Sequence, residues 1–210
     1  MNLSSETDLW NAFKAGDEQA FEEIYRLFYN PLFRYGRAII HKDDLVEDAI
    51  QEMFLNLHRY RKTLKSVDSI LPYLLASLKN TLLKDLKLRS RFDTLIPDRE
   101  METVIEMSIE DLLILKELSE HQILIISEAL KGLPPRQREA INLKFYQELN
   151  NQQIAEVMGV NYQSVVNFIQ KALQNLEKLL TIKYLPKNLY SLIFPVHIIF
   201  KSFFKKKGLK

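Results

Sequence analysis

The sequence of 210 residues contains no cysteine and only five glycines and seven prolines. The lack of cysteine excludes disulfide bonds, thiolate zinc sites and catalytic thiols. The scarcity of glycine and proline, beside long stretches rich in Leu, Ile, Lys and Glu, favours helices over many short strands and turns. No His/carboxylate cluster is visible, so neither a metal nor another cofactor is expected. The four histidines are scattered: His41, His58, His121 and His197.

The first ten residues are polar and acidic and lack the apolar core of a secretory signal, which predicts a cytoplasmic protein. Hydrophobic residues make up 47% of the chain and charged residues 27%. These are ordinary values for globular proteins and argue against global disorder. The length is sufficient for one or two domains, each with its own core.

Charge is unevenly distributed along the chain. Although the net charge is only +2, residues 183–210 contain seven lysines and no acid. Residues 98–128 contain nine acids and two bases, a net charge of −7. The part of the chain before residue 183 is therefore net acidic, and any nucleic-acid-binding surface in it must be local.

Helical spacing of apolar residues predicts a compact helical domain in the first 92 residues. One helix carries Phe21, Ile24, Tyr25 and Phe28, and Pro31 is expected to interrupt it and to allow a new helix to start. Asp44 and Glu47 predict the capped start of a further helix. A third helix is expected to begin at Pro72. The apolar stripe of the middle helix consists of Val46, Ala49, Ile50, Met53, Phe54 and Leu57.

The most informative stretch is residues 151–173, NQQIAEVMGVNYQSVVNFIQKAL, which has the spacing of a helix-turn-helix. A small residue, Ala155, stands where the two helices would nearly touch, and Gly159 supplies positive φ in the turn. Asn161 can cap the second helix, and Pro135 starts the helix before the motif. The alternative is an ordinary helical hairpin with a glycine cap. The apolar contacts expected in the motif are Ile154, Met158, Val160, Val165 and Phe168.

The second helix of the motif is predicted to present polar amides to DNA. Asn and Gln can pair with adenine edges in the major groove, and Lys171 suits a phosphate. With one lysine and no arginine, this face is weakly electrostatic, so tight binding needs a larger assembly. The predicted DNA contacts of this domain are Asn161, Tyr162, Gln163, Val166, Asn167, Gln170 and Lys171.

Two stretches carry further motifs. Residues 8–92 contain FEEIYRLFYNPLFRYG, DLVEDAIQEMFLNLHRY and YLLASLKNTLLKDLKLRSR, and residues 124–181 contain LPPRQREAINLKFYQELNNQQIAEVMGV. In this order and separation, the two stretches resemble the extracytoplasmic-function (ECF) subfamily of bacterial sigma-seventy factors. The chain departs from the family pattern at Gln153, where Glu is common, and at Asn161, where Ser or Thr is common. It also has Val166 and Asn167 where the family often has a base.

The resemblance implies a fold of two small helical domains, all-α, joined by an acidic linker. The implied ranges are 1–95 for the polymerase- and minus-ten-binding domain, 96–123 for the linker, 124–181 for the minus-thirty-five-binding domain, and 182–210 for an apolar, lysine-rich tail. It implies core RNA polymerase and promoter DNA as partners, with an anti-sigma factor as a further partner.

The resemblance also implies roles for two helices of the first domain. An acidic helix would dock on the polymerase clamp through Asp44, Glu47, Asp48, Gln51 and Glu52. The alternative is a solvated polar face. The loop 65–70 and the following helix would bind the melted minus-ten element. Bases outnumber acids in residues 79–99, where Lys79 is counted among the bases, and Asn80 and Asp85 match the family's Asn and Asp. The predicted minus-ten contacts are Tyr73, Ser77, Asn80, Lys84, Lys87, Arg89 and Arg91.

Two segments leave alternatives open. The acidic linker either threads a positively charged channel of the polymerase or is a solvated spacer. The tail contains LYSLIFPVHIIF, which is too short to span a bilayer. It can cover the protein's own surface, bind a partner such as an anti-sigma factor, or lie on an anionic membrane as a peripheral contact.

Three classes of function compete. The sequence favours a sigma factor that directs transcription initiation, and the alternative is a stand-alone helix-turn-helix regulator that binds duplex operators as a dimer. No Gly-rich loop or acidic pocket for a ligand or phosphoryl group supports the regulator. An enzyme is not expected, because no nucleophile–base pair, phosphate cradle or metal cluster is present.

Overall fold

The computed structural model describes residues 5–92 and 127–184, and within these ranges the regular structure is entirely helical. Residues 61–63 form a short 3-10 turn, and residues 127–131 are also helical. The seven α-helices labelled here are α1 (Glu6–Ala15), α2 (Glu18–Ile39), α3 (Asp43–Tyr60), α4 (Ile70–Phe92), α5 (Pro135–Phe145), α6 (Asn151–Met158) and α7 (Tyr162–Tyr184). The all-α prediction is confirmed for the described part of the chain.

Helix α1 was not predicted, although both of its ends have sequence signals. The Ser5 hydroxyl accepts the backbone N–H of Asp8 at 3.1 Å, and Gly16 ends the helix with φ at 102°. Trp10 is fully buried, and its indole nitrogen donates to the carbonyl of Lys65 at 2.9 Å. The first helix thus anchors the loop that precedes α4.

Helix α2 continues through Pro31, so the predicted interruption is wrong. Proline removes the N–H that would bond to the carbonyl of Leu27, and this loss is tolerated because Leu27 lies on the solvent side, 48% exposed. The buried stripe is unbroken on both sides of the proline, so packing compensates for the missing backbone bond. That stripe contains Ala20, Ile24, Phe28, Leu32 and Tyr35.

The predicted cap of α3 is also wrong. The helix begins at Asp43, one residue before the predicted cap, and Lys42 at the cap position makes no side-chain capping bond. Asp43 and Asp44 lie in the first turn, where their negative charges interact favourably with the positive end of the helix dipole. Asp43 also forms an ion pair with Arg37 at 2.9 Å. The predicted apolar stripe of α3 is buried throughout, as expected.

Helices α2 and α3 are tightly packed at Gly36. A Cβ atom built on Gly36 would lie 2.5 Å from Cγ1 of Val46, which is itself fully buried. We therefore expect Gly36→Ala to lower the free energy of unfolding by about 1–3 kcal/mol through overpacking. Urea denaturation measures this loss. Val46→Ala removes the methyl groups that the new Cβ would meet. Gly36→Ala should therefore lower the free energy of unfolding by less in a chain that already carries Val46→Ala than in the parent chain. Equal stability of Gly36→Ala and the parent chain would contradict the close approach.

The C-terminal helices pack on the N-terminal ones. Helix α5 begins at Pro135, as predicted, and packs on α7, while α6 lies along α4. Buried apolar residues from α1–α4 and from α5–α7 form a continuous core. The acidic linker (96–123) and all but the first three residues of the tail (182–210) lie outside the described residues.

Candidate nucleic-acid and polymerase interfaces

Residues 151–173 form the predicted helix-turn-helix. Ala155 is 5% exposed between the two helices, and Gly159 adopts the left-handed conformation with φ at 65°. The N–H of Val160 donates to the carbonyl of Ala155 at 3.0 Å, which fixes the turn. Ile154, Met158 and Val165 are buried, and Val160 and Phe168 are partly buried against the core. The geometry is that of two helices meeting at a tight, glycine-containing corner.

Two of the departures from the family pattern, Gln153 and Asn161, keep the capping chemistry of the motif. Gln153 completes a capping box with Asn150: its side chain accepts the Asn150 N–H at 2.9 Å, and the Asn150 side chain accepts the N–H of Gln153 at 3.0 Å. The Asn161 side chain accepts the N–H of Ser164 at 2.8 Å, as predicted. Both substitutions therefore preserve the local fold. The cap at Asn150 was missed, although Asn three residues before Gln is its signal.

The N-terminal half of α7 presents a polar face to solvent, and we call this half the recognition helix. On it, the Gln163 side-chain amide donates to Oδ1 of Asn167 at 3.1 Å, so these two amides are held side by side. Val166 is 7% exposed, so its predicted place on this face is wrong. It lies on the inner side of α7, next to Val165. The other predicted residues are exposed: Asn161, Tyr162, Gln163, Asn167, Gln170 and Lys171.

The predicted minus-ten residues differ in accessibility along α4. Asn80 is exposed, and the Lys84 side chain is 67% exposed with its ammonium 3.8 Å from Glu52. Ser77 is partly buried. Tyr73 packs edge-on against Trp10 at 5.3 Å between ring centres, and burial raises the pKa of its hydroxyl. The side chains of Lys87, Arg89 and Arg91 lie outside the described part of the chain.

Lys79 does not belong to the exposed basic patch, contrary to expectation. It is 7% exposed, and its ammonium contacts the carboxylate of Glu139 on α5. Spacing along the sequence identified Lys79 as one of several bases near Asn80. Only the contact with Glu139, 60 residues away in sequence, could show that its charge is neutralised inside the protein.

The hydroxyl of Tyr35 shares this carboxylate, which makes the site sensitive to alkaline pH. Tyr35 is fully buried and donates to Oε1 of Glu139 at 3.1 Å. Burial first, and then the charge and hydrogen bond of Glu139, raise the pKa of Tyr35 well above 10.0, against a smaller lowering by Arg136.

Because the folded pKa lies above the unfolded one, the stability due to Tyr35 is complete below pH 10 and is lost as pH rises through the folded pKa. We expect the parent chain to lose stability from about pH 10 upward more steeply than Tyr35→Phe, which has no proton to lose at this site. Denaturant unfolding at pH 8 to 11 measures the difference. Parallel pH profiles for the two chains would contradict it.

The predicted polymerase-docking residues lie along one side of α3. Asp44, Glu47, Asp48 and Gln51 are exposed, and Glu52 is partly exposed. Within the described residues, no ion pair neutralises the first three of these acids. Leu55, one turn beyond Gln51, is 66% exposed. It was not predicted as a site residue, although the predicted apolar stripe of α3 omits it, and that omission was the available signal.

A crevice of about 420 Å³ separates the loop before α4 from the first helix of the helix-turn-helix. Ser66, Asp68 and Tyr73 line one wall, and Asn150 and Glu156 line the other. In the described ranges, no helix is both long enough and apolar enough to cross a membrane.

Comparisons with known proteins agree with this arrangement. Residues 123–176 match the family described as sigma-70, region 4. The chain is 28% identical over 169 residues to the ECF RNA polymerase sigma factor BldN of Streptomyces coelicolor, covering 80% of this chain and 62% of that protein. It is 24% identical over 166 residues to the ECF RNA polymerase sigma factor SigM of Bacillus subtilis, covering 75% and 93%.

A solved structure shares the fold. It contains the sigma factor RpoE in complex with the anti-sigma factor NepR from Bartonella quintana. The likeness has a TM-score of 0.55 at 16% identity, and it covers 79% of this chain and 99% of that one. The helix-turn-helix and the order of the helices agree with these comparisons: residues 123–176 match sigma-70, region 4, and the chain is similar to extracytoplasmic-function RNA polymerase sigma factors.

Proposed function

We propose that the chain is a promoter-specificity subunit that brings core RNA polymerase to its start sites and catalyses no reaction itself. The observation that carries this proposal is the fully capped helix-turn-helix with an exposed amide face, within the residues that match sigma-70 region 4. The names of the relatives support it over a stand-alone regulator.

The proposed division of labour follows the exposed surfaces. The acidic side of α3, from Asp44 to Leu55, docks on a basic surface of the polymerase clamp, with Leu55 as its apolar contact. Helix α4 and the loop before it bind the melted minus-ten element, and the recognition helix binds the minus-thirty-five element. The domain ranges 1–95 and 124–181, and the intervening linker 96–123, are part of this proposal.

The weak charge of the recognition helix determines how affinity arises. Lys171 is its only base, so few DNA counterions are released when this helix binds alone. Most of the binding free energy must then come from the polymerase, which holds both domains on one promoter and raises their effective concentration. We therefore propose that the chain acts on DNA in the cytoplasm as part of the holoenzyme.

An anti-sigma factor is a proposed further partner, as one is present in the related RpoE structure. We propose that the tail 182–210 controls the availability of the chain by covering its own surface, by binding such a partner or by resting on an anionic membrane. Truncation after Tyr184 tests this role. A change in promoter-directed transcription or in sedimentation supports it, and an unchanged result in both removes it.

Co-purification separates the proposed function from the regulator alternative. The tagged chain is expected to co-purify with the core polymerase subunits. It should bind duplex promoter DNA only in their presence. A regulator would instead bind duplex operator DNA alone, as a dimer. Dimeric DNA binding without polymerase association would reverse the assignment.

A further inference from the structure

The contact between the N-terminal and C-terminal helices encloses a group of charged and polar side chains. Nζ of Lys79 on α4 lies 2.5 Å from Oε1 of Glu139 on α5, with side chains that are 9% and 2% exposed. The Tyr35 hydroxyl on α2 donates to the same oxygen at 3.1 Å. One carboxylate from the C-terminal half is thus bound by two groups from the N-terminal half.

A second polar contact crosses the same boundary. The side-chain amide of Gln147, which is buried, donates to the carbonyl of Pro31 at 3.4 Å. Contacts between domains that separate during function are more polar than the core of a single domain. The boundary between the two halves has this character, even though apolar residues also meet there.

The packed arrangement is too small to engage a promoter, provided that the proposed function holds. Elements at minus thirty-five and minus ten are about 25 base pairs apart, or about 85 Å of duplex at 3.4 Å per base pair. A compact chain of this length has a radius of gyration of about 17 Å and is roughly 45 Å across. The two domains must therefore separate before both elements can be bound.

The first helix of the helix-turn-helix also restricts access to the proposed minus-ten site. Across the crevice, Asn150, Gln153 and Glu156 face the loop that contains Ser66 and Asp68. The opening step that spreads the domains therefore also uncovers this loop. The recognition helix, by contrast, is exposed in the packed arrangement.

We propose that Lys79, Glu139 and Tyr35 form a polar latch that holds the chain closed until core polymerase separates the two domains. A buried ion pair suits a latch because desolvation offsets most of its attraction, so the contact aligns the domains without locking them. Glu139 also has Arg136 at 3.6 Å, on its own helix. On opening, the carboxylate keeps a cation beside it, while Lys79 becomes free to be hydrated.

The latch is tested by measuring the distance between the two halves in the full chain. Because the chain has no cysteine, Lys62→Cys and Gln174→Cys, both at exposed positions, place spin labels at defined sites in the two halves. Pulsed EPR should give one short distance for this labelled parent.

Adding Lys79→Met leaves the buried carboxylate without its principal partner. The ratio of chains with the long distance to chains with the short distance should then rise about tenfold or more. Tyr35→Phe should shift it in the same direction by less.

The triple variant Lys79→Met, Glu139→Leu, Tyr35→Phe distinguishes a latch from damaged packing. It removes both charges and also the Tyr35 hydroxyl that would otherwise lose its acceptor, so the distance should return to that of the parent. A closed distance in Lys79→Met, or an open distance in the triple variant with helical circular dichroism retained, would overturn the latch. If Lys79→Met does not fold, Tyr35→Phe provides the test, and an unchanged distance in that variant would also overturn the latch.

Core polymerase separates this inference from the proposed function. Adding it to the labelled parent should convert the short distance to a long one. Binding to polymerase with the short distance retained overturns the latch and leaves the function intact. Failure to bind polymerase refutes the function, whatever the variants show in isolation.

Discussion

A chain carrying Asp44→Lys and Asp48→Lys is expected to lose about 100-fold in affinity for core RNA polymerase, equivalent to about 2.7 kcal/mol. Both carboxylates are exposed on α3, and no described residue forms an ion pair with either. Reversal replaces attraction to a basic partner with repulsion. Because neither side chain packs against the core, the fold should be retained, with a loss of stability of about 0.3–1 kcal/mol from the helix-dipole interaction of Asp44. Titration of labelled core polymerase with the purified chain measures the affinity.

A matched control changes the net charge equally at another place. Glu128→Lys with Glu177→Lys alters two exposed acids of the C-terminal half and should change polymerase affinity by less than threefold. Leu55→Ala should weaken binding without altering its dependence on salt, since it removes an apolar contact rather than a charge. Equal losses in the reversal and its control would show that net charge, not the side of α3, governs binding.

The second large effect is expected on the recognition helix. Gln163→Ala with Asn167→Ala should lower transcription from the chain's own promoters by about 10- to 100-fold, with polymerase binding retained, because good amide–base pairs each contribute about 1–3 kcal/mol of discrimination. The two amides are hydrogen-bonded to each other at 3.1 Å, so each single variant should already show much of the loss. Run-off transcription from mapped start sites measures it.

Gln174 provides a control of the same chemistry on the same helix. It is exposed but lies 11 residues beyond Gln163, about 16 Å farther along the axis. A recognition helix contacts bases with its N-terminal residues, so Gln174→Ala should leave transcription nearly unchanged. An equal decrease for both amide positions would place the DNA contact elsewhere on α7.

The sequence predicted those features that depend on local spacing. The apolar stripe of α3 and the Ala155–Gly159 corner follow from helical periodicity and backbone sterics, and both are present. The exposed amides of α7 could be located in the same way. The caps at Gln153 and Asn161 show why two departures from the family pattern leave the fold intact: the amides supply the same acceptors.

The α3 cap was a local error, and other errors concern residues whose environment depends on packing. Pro31 remains within α2 because the buried stripe on either side holds the helix together. Val166 was assigned to the exposed face by its position, but it is only 7% exposed. Lys79 was counted as a DNA-facing base, whereas its partner is 60 residues away in sequence, on α5. No periodicity in the sequence reports such contacts.

Mapping of transcription start sites with purified components tests the central claim most directly. Core polymerase alone and core polymerase with the full chain are given the same genomic DNA. The account predicts that the chain associates with the core enzyme and that transcripts then begin at a discrete set of positions with shared upstream sequences. Failure to associate, or an unchanged distribution of start positions when the chain is added, would contradict it.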